Sequence, residues 1–243
     1  MTPKLIIGVT SYNIENFIDR CLASIKSQTH TDFKCFITDD LSTDTTVDRI
    51  NSFIQGDDRF VLIQNETKRY QCGNYDLICR ETEGINEDDI FIEVDGDDHL
   101  SDDGVFARIY DYYSKSDLWI ANGSFMFETV KEGSTRLITD MSKLRTEPFT
   151  ASHIRTWKIF LWRAMKIEDL KDQNGNYWVA GGDLIFMYDM LEMAGLDHYT
   201  HMTEVNYIYN DLNPIGDGIT NGQYQTDMCE FAKNKTPREL YVR

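Results

Sequence analysis

Short apolar runs alternate with amphipathic segments over the first 100 residues of the chain. The runs with the length and composition of buried strands are 5–9, 33–38, 60–63 and 90–94. The segments with apolar residues at helical spacing are about 15–28, 47–53 and 75–82. Strands that alternate with helices build βαβ units with right-handed crossovers and a parallel sheet. The pattern therefore predicts an α/β fold with an open, mostly parallel, Rossmann-like sheet flanked by helices.

The alternation becomes less regular after Leu100. The helices predicted there cover about 102–113, 157–167 and 183–191, and the predicted strands cover 118–121, 124–128, 136–138 and 205–209. The tail after Pro214 is polar and contains Gly216, Gly218 and Gly222. This composition fits either a lid that closes over a site or a frayed terminus.

The strand at 90–94 ends in a run of carboxylates. Asp95 and Asp97 are two residues apart, so they point to the same side of an extended chain, and Gly96 between them permits the close approach of a ligand. Ligands of open α/β sheets bind beyond the carboxyl ends of the strands. Carboxylates that pack together repel each other unless a cation joins them, and oxygen ligands suit Mg²⁺ or Mn²⁺. The run, which includes Asp98, therefore predicts a metal–diphosphate site; the alternative is a solvated turn that caps the next helix.

Composition and charge narrow the classes of function. The formal net charge of −17 disfavours binding to nucleic-acid phosphates and to anionic membranes. No apolar run approaches the ~20 residues of a membrane helix. Five scattered cysteines without a CxxC pair argue for free thiols, and residues 1–4 lack the layout of a signal peptide. We therefore expect a cytoplasmic protein without a transmembrane segment, folded as one domain over 1–243 with halves at about 1–115 and 116–243.

Polar motifs follow the first, second and fourth predicted strands. In order, the motifs are Thr10-Ser11-Tyr12-Asn13, Gln28-Thr29, Asp39-Asp40-x-Ser42-Thr43-Asp44 and Asp95-Gly96-Asp97-Asp98. Their order and spacing resemble the family 2 glycosyltransferases of the GT-A fold over roughly the first 130 residues. Looser matches in the second half are His153-x-Arg155, Glu168-Asp169-Leu170, Gly182-Asp183, Tyr209-Asn210 and Asn213-Pro214. The resemblance implies a GT-A sheet with a smaller acceptor-binding half, and a metal-dependent, inverting transfer of a sugar from a nucleoside diphosphate to an acceptor hydroxyl.

The resemblance also implies roles for individual residues. Asp97 matches the aspartate most often found on the metal, here Mn²⁺ or Mg²⁺, while Asp95 lies near the ribose and Asp98 can share the ion. Asp183 matches the catalytic base. The predicted nucleotide-sugar contacts are Thr10, Tyr12, Asn13, Asp39, Asp40, Lys68, Arg69, Asn74, Asp95 and Gly96. The stretch Cys72-Gly73-Asn74 departs from the family's Ala-Arg-Asn, which leaves the basic contact open.

Several of these residues have an alternative structural explanation. Asp40 can accept a hydrogen bond from the imide N–H of uracil, which predicts a UDP-sugar donor, or it can start an Asx turn. Asp183 follows two glycines and can act as a general base or cap a helix. We expect His153 and Arg155 near the start of a helix, where the arginine reaches a phosphate, although such residues are often structural. The predicted acceptor contacts are Trp178, Gly182, His153 and Arg155.

Two other functions fit parts of the pattern. A phosphohydrolase of the haloacid dehalogenase type also presents Asp-x-Asp at the end of a strand, although normally the first strand of the chain. A non-catalytic nucleotide-sugar-binding module would keep the donor contacts, and transfer by an Asp183→Ala variant would separate it from an enzyme. The expected partners are a nucleotide-sugar donor and a glycan or other hydroxyl acceptor.

Overall fold

The first four predicted strands are present, and in this computed structural model they pair in parallel with one another. The strands are β1 (Leu5–Ser11), β2 (Phe33–Asp39), β3 (Phe60–Gln64) and β4 (Ile90–Asp95). The helices between them are α1 (Ile18–Lys26), α2 (Thr46–Ile54) and α3 (Tyr70–Asp76), which continues as a π-helical turn over Leu77–Glu81. The structure describes residues 3–216 and 220–243, so Gly218 of the predicted tail and the first two residues lie outside the described part.

The remaining strands extend the same sheet. They are β5 (His99–Leu100), β6 (Ile120–Phe127), β7 (Arg155–Lys158) and β8 (Tyr199–Tyr209). The helices of this half are α4 (Val105–Lys115), α5 (Ile159–Ala164), α6 (Gly182–Ala194) and α7 (Gly222–Asn234), with 3₁₀ turns at Met141–Lys143, Ile167–Leu170 and Leu196–His198. The order across the sheet is β3-β2-β1-β4-β7-β6-β8-β5, which confirms the predicted mixed α/β architecture. None of the described helices is both long and apolar enough to cross a membrane.

The segment before α5 differs from the prediction. The sequence pattern predicts a helix that includes Trp157 and starts near His153 and Arg155, but Arg155 opens the strand β7 and the helix begins only at Ile159. The first three residues of β7 are all buried. A strand that is buried on both faces lacks the alternation that separates it from a buried helix, which explains why the predicted helix start is wrong.

Four other elements differ from the prediction to a smaller extent. α3 begins at Tyr70, about five residues before the prediction. The two strands predicted around Asn122-Gly123 are the single strand β6, which is irregular at that point because of a β-bulge. The predicted strand at 136–138 is absent from the described sheet, and its residues are mostly exposed. The polar tail contains α7, which packs on the core through Met228.

The core lies on both faces of the sheet. In β1, Leu5 and Ile7 pack toward α1, α2 and α4, whereas Ile6 packs on the opposite face. The opposite face is built on aromatic rings, and those of Trp157 and Trp162 stack with centroids 5.4 Å apart. Both tryptophans are fully buried, so they belong to the core.

Three strands bring their polar ends to one edge of the sheet. Thr10 of β1 is in register with Thr38 of β2 and with Asp95 of β4. The motifs that follow these strands therefore meet in space at the carboxyl edge, where ligands of open α/β sheets bind.

Candidate active site

A cavity of about 570 Å³ opens at this carboxyl edge. The predicted site residues that line it are Thr10, Tyr12, Asn13, Asp40, Lys68, Asn74, Asp95, Asp97, His153, Arg155 and Asp183. The predicted site residues that lie outside its lining are Asp39, Arg69, Gly96, Asp98, Trp178 and Gly182. Lining residues without a predicted role include Gln71, Tyr209, Asn213, Ile215, Asn221 and Gln225. The cavity therefore joins the donor and acceptor halves predicted from the sequence.

Asp40 is buried at the end of β2 and holds the loop before α3. Its Oδ1 accepts hydrogen bonds from Nδ2 of Asn65 at 2.7 Å and from the backbone N–H of Arg69 at 2.8 Å. Its Oδ2 accepts from the backbone N–H of Tyr70 at 3.0 Å, and Nζ of Lys68 lies 3.7 Å away. Each carboxylate oxygen has two acceptor positions, and Tyr70 is the only hydrogen-bond donor to Oδ2 within the described residues, so Oδ2 has capacity for one further donor.

Tyr12 forms one wall of the cavity beside Asp40. Its side chain is 44% exposed, and Nζ of Lys68 lies 2.9 Å from the centre of the ring. A cation over an aromatic face is attracted by the ring quadrupole. An exposed aromatic ring next to a fixed hydrogen-bond acceptor is an arrangement that suits a planar base.

Asp39 and Asn13 shape the loop after β2. Oδ2 of Asp39 accepts a hydrogen bond from the backbone N–H of Ser42 at 3.0 Å, and Oδ1 of Asn13 accepts from that of Thr43 at 2.8 Å. The guanidinium of Arg69 is directed elsewhere, with Nη1 3.0 Å from Oε1 of Glu81. Asn13 lines the cavity, whereas the side chains of Asp39 and Arg69 serve contacts within the protein.

Asp95 is the first carboxylate of the acidic run. Its Oδ1 accepts hydrogen bonds from Nε2 of Gln71 at 3.2 Å and from Oγ1 of Thr10 at 3.4 Å. Burial and the charge of Asp97 raise the pKa of Asp95 to about 7. Gly96 between them packs against β1, because a Cβ there would lie 2.6 Å from the backbone oxygen of Thr10.

Asp97 and Asp98 contact the chain that follows β8. Oδ2 of Asp97 accepts a hydrogen bond from Nδ2 of Asn213 at 2.6 Å, and Oδ1 of Asp98 accepts from the backbone N–H of Asn210 at 2.7 Å. Oδ2 of Asp98 is buried, and Tyr207 is the neighbouring side chain that can donate a hydrogen bond to this carboxylate. Burial, together with the charges of Asp97 and Asp95, raises the pKa of Asp98 well above its usual range. A cation would stabilise carboxylates in this arrangement, so the residues fit the predicted divalent metal.

Glu93 forms a second group of candidate ligands with Asp95 and His153, whose ligand atoms lie within 4.8 Å of one another. Arg155 packs against this group, with Nη1 2.5 Å from Oε1 of Glu93. A guanidinium repels a metal cation and already compensates carboxylate charge. Asp95 and Asp97, which both line the cavity, therefore fit the metal better than the group around Glu93.

Asp183 lies in the first turn of α6 and lines the same cavity as Asp95 and Asp97. α6 begins after Gly181, which has a φ of +70°. The N-cap position is taken by Gly181, and Asp183 is the second residue of the helix, so Asp183 does not occupy the capping position considered for it. Oδ2 of Asp183 instead accepts a hydrogen bond from Nη2 of Arg155 at 2.6 Å.

The other predicted acceptor contacts differ in their access to the cavity. His153 lines it and stacks on Tyr207, with ring centroids 4.7 Å apart. Burial and the charge of Arg155 lower the pKa of His153 well below its usual value, which favours the neutral imidazole. Trp178 packs against Phe231 of α7 outside the lining, so a direct role in acceptor binding stays a prediction that the geometry does not favour.

The profile of the family described as "Glycosyl transferase family 2" matches residues 6–176 of the chain. The chain belongs to glycosyl transferase family 2. This membership confirms the family proposed from the motifs. It also removes the phosphohydrolase alternative, which rested on the Asp-x-Asp motif and on Gly182-Asp183.

Curated relatives agree with family 2 at low identity. Glycosyltransferase GlyA of Streptococcus pneumoniae is 23% identical over 186 residues, which cover 69% of this chain and 25% of that protein. The putative glycosyltransferase EpsH of Bacillus subtilis is 28% identical over 129 residues, which cover 52% of this chain and 36% of that protein. The chain therefore spans about a quarter to a third of the length of these two relatives.

Solved structures show that this family 2 chain has the GT-A fold. S. aureus TarS in complex with UDP-GlcNAc superposes with a TM-score of 0.71 at 14% identity, over 94% of this chain and 65% of that chain. The mannosyltransferase PcManGT from Pyrobaculum calidifontis, in complex with GDP-Man and Mn²⁺, superposes with a TM-score of 0.63 at 14% identity, over 98% and 66% of the two chains. The predicted GT-A fold is confirmed.

Proposed function

We propose that this family 2 chain transfers a sugar from a UDP-sugar to a hydroxyl group of an acceptor such as a glycan, with inversion at the anomeric carbon. One observation carries the proposal: Asp95 and Asp97 line the same cavity as Asp183, although they come from opposite halves of the chain. A transferase needs both kinds of group, because it must stabilise a departing diphosphate and remove a proton from a hydroxyl.

The donor would occupy the part of the cavity at the ends of β1 and β2. The exposed ring of Tyr12 offers a surface on which a base can stack. Asp40 keeps acceptor capacity beside that ring, which is our reason for preferring uracil with its imide N–H. Thr10, Lys68 and Asn74 line the cavity around these two residues. The complexes of TarS with UDP-GlcNAc and of PcManGT with GDP-Man support a nucleotide-sugar donor.

Asp95 and Asp97 would hold Mn²⁺ or Mg²⁺, with Asp98 behind them. When bound, the cation would act as a Lewis acid on the oxygens of the leaving diphosphate. Neighbours of known structure that contain Mn²⁺ support this choice of metal. The chain's own contribution is to fix the carboxylates, through the hydroxyl of Thr10 on Asp95 and the amide of Asn213 on Asp97.

Asp183 would act as the general base. Its carboxylate would take the proton of the acceptor hydroxyl while the hydroxyl oxygen forms a bond to the anomeric carbon. The bond from that carbon to the diphosphate oxygen breaks, and its electron pair leaves with the nucleotide. A single displacement of this kind inverts the anomeric configuration. Of the predicted acceptor contacts, His153 is the one that we retain for direct contact, because it lines the cavity.

A panel of donors tests the proposal. Purified protein with Mn²⁺ is incubated with UDP-GlcNAc, UDP-glucose, UDP-galactose or GDP-mannose, with water or a mixture of simple sugars as acceptor, and the released nucleotide is measured. We expect release from at least one UDP-sugar and a fall of about 10²–10⁴-fold in Asp183→Asn, the range for loss of a general base. Asp197→Asn is the matched control, because Asp197 is an exposed carboxylate just beyond the other end of α6.

The outcomes separate the proposal from its alternatives. Equal turnover by Asp183→Asn and wild type would remove Asp183 as the base. Binding of UDP without turnover on any donor would favour the non-catalytic nucleotide-sugar-binding module. A preference for GDP-mannose would overturn the assignment of Asp40 to uracil. Retention of the anomeric configuration, followed by ¹H NMR, would overturn the single displacement.

A further inference from the structure

Arg155 connects two carboxylates that come from different parts of the chain. Its Nη1 lies 2.5 Å from Oε1 of Glu93, and its Nη2 lies 2.6 Å from Oδ2 of Asp183. The side chain of Arg155 is 4% exposed and that of Glu93 is fully buried, whereas the side chain of Asp183 is 25% exposed. We call the group Glu93–Arg155–Asp183 the arginine bridge. It runs from the interior of the sheet to the surface of the cavity.

The sheet register explains why the arginine bridge forms. β4 and β7 are antiparallel, and the pairing between them ends with Ile92 opposite Thr156. Glu93 and Arg155 are the next residues on the two strands, so they are neighbours across the sheet. Opposite charges on neighbouring strands attract, and burial strengthens the attraction because water no longer screens it. Nε of Arg155 and Oε2 of Glu93 have no hydrogen-bond partner among the described residues, so the contacts of Nη1 and Nη2 with the two carboxylates are the ones that hold the guanidinium.

The arginine bridge continues to the acidic run through Gln71. Nε2 of Gln71 lies 3.2 Å from Oε1 of Glu93 and 3.2 Å from Oδ1 of Asp95. A continuous series of hydrogen bonds therefore joins Asp95 to Asp183. Networks of this kind hold their members in fixed relative positions.

We propose that Arg155 is a positioning residue, anchored by Glu93, that fixes the carboxylate of Asp183 in the orientation in which it faces the acceptor hydroxyl. The inference rests on the proposed function, since it gives Asp183 the role of base. It replaces the prediction that Arg155 binds the acceptor. Both terminal nitrogens of Arg155 bind carboxylates, which compensate its charge, and its side chain is only 4% exposed, so a phosphate has little access to it. Of the two carboxylate oxygens of Asp183, only Oδ2 has a hydrogen-bond partner among the described residues. Oδ1 is therefore available to the hydroxyl.

A charge-assisted contact at 2.6 Å limits rotation of the Asp183 side chain. A catalytic group that moves by about 1 Å loses about 10²-fold in rate. Removal of Arg155 should therefore lower kcat by about 10²-fold and change KM for the donor much less, because Arg155 contacts Asp183 directly but reaches Asp95 only through Glu93 and Gln71. Arg155→Lys keeps the charge but cannot bind both carboxylates in the same way, so it should recover only part of the loss.

The test compares Arg155→Gln, Arg155→Lys, Asp183→Asn and the double variant Arg155→Gln/Asp183→Asn, with the four donors named above and Mn²⁺. If Arg155 acts through Asp183, the double variant should turn over no more than about threefold slower than Asp183→Asn alone. Arg145→Gln is the matched control. Arg145 is also a buried arginine that binds carboxylates of α6, Asp189 and Glu192, but these lie away from the site.

Crystal structures of wild type, Arg155→Lys and Arg155→Gln give a readout that does not need turnover. We expect the Asp183 side chain to adopt another rotamer in Arg155→Gln, with unchanged binding of UDP. An unmoved carboxylate would overturn the inference, and so would a further large loss in the double variant or a loss expressed mainly in KM. If no donor is turned over by wild type, the proposed function fails, whereas the crystal structures still decide whether Arg155 positions Asp183. If Arg155→Gln does not fold, Arg155→Lys supplies the same comparison.

Discussion

Gly182 lies where α6 approaches α3, and its replacement by alanine should disturb the adjacent Asp183. A Cβ at position 182 would lie 2.2 Å from Sγ of Cys72. Non-bonded carbon atoms pack at about 3.5–4.0 Å, so the overlap with the sulfur is about 1.5 Å. Cys72 is fully buried, which limits its room to move. Overpacking of a core costs about 1–3 kcal/mol of unfolding free energy. A shift of Asp183 by about 1 Å would also lower turnover by about 10²-fold.

Urea denaturation followed by tryptophan fluorescence measures this cost in Gly182→Ala, Cys72→Ala and the double variant. Without the sulfur, the nearest atoms to the new methyl group are Cβ of residue 72 and Cβ of Trp178, both at 3.7 Å, which is ordinary contact. The double variant should therefore be at least about 1 kcal/mol more stable than Gly182→Ala alone, since neighbouring sites couple. Cys72→Ala alone is the control for the cavity left by the sulfur. A Gly182→Ala variant as stable as wild type, or a double variant that gains nothing, would refute the reasoning.

Asp97→Asn should weaken Mn²⁺ binding by at least about 10-fold in calorimetric titration, whereas Asp103→Asn, at an exposed position, should not. Equal affinities of the two variants for Mn²⁺ would contradict the assignment of Asp97 as a metal ligand. Because burial and the charge of Asp97 raise the pKa of Asp95 to about 7, protons compete with the cation below that pH, and affinity for Mn²⁺ should rise from about pH 5.5 to about pH 8. A flat or falling affinity over that range would argue against Asp95 as a ligand. Arg145→Gln should lower the unfolding free energy by about 3 kcal/mol, because it leaves buried Glu192 without its guanidinium partner. Urea denaturation measures this loss, and a loss under about 1 kcal/mol would be inconsistent with the contact.

The strands β1 to β4 could be predicted because each of them is a short apolar run with polar residues after it. The run 90–94 is bounded by Asp89 and Asp95, so both ends of β4 are visible in the sequence. β7 could not be found in the same way. It has four residues, continues directly into α5 and is buried on both faces, so its apolar residues fit a helix as well as a strand. Its partner β4 lies some 60 residues earlier, and such long-range pairing leaves no local signal.

The residues of the candidate site also differ in whether the sequence alone reveals them. Asp95, Asp97 and Asp183 could be named because acidic residues follow a strand or open a helix at the positions of a known motif. Glu93 carried a signal, a lone charge inside an apolar strand, but its meaning depends on Arg155 across the sheet. Asn213 had no such signal, because its amide reaches Asp97 only when the chain after β8 returns to the acidic run.

The hydrogen-bonded continuity of the sheet passes through β7, since β4 and β6 both pair with it. The strand that joins the two parts of the sheet therefore also supplies Arg155. For protein engineering this separates two kinds of position. Substitutions in β7 put the architecture at risk together with turnover, whereas Ile215 lines the cavity, is 44% exposed and belongs to no strand. Libraries that aim to change the sugar or the acceptor can concentrate on such exposed positions and leave β7 intact.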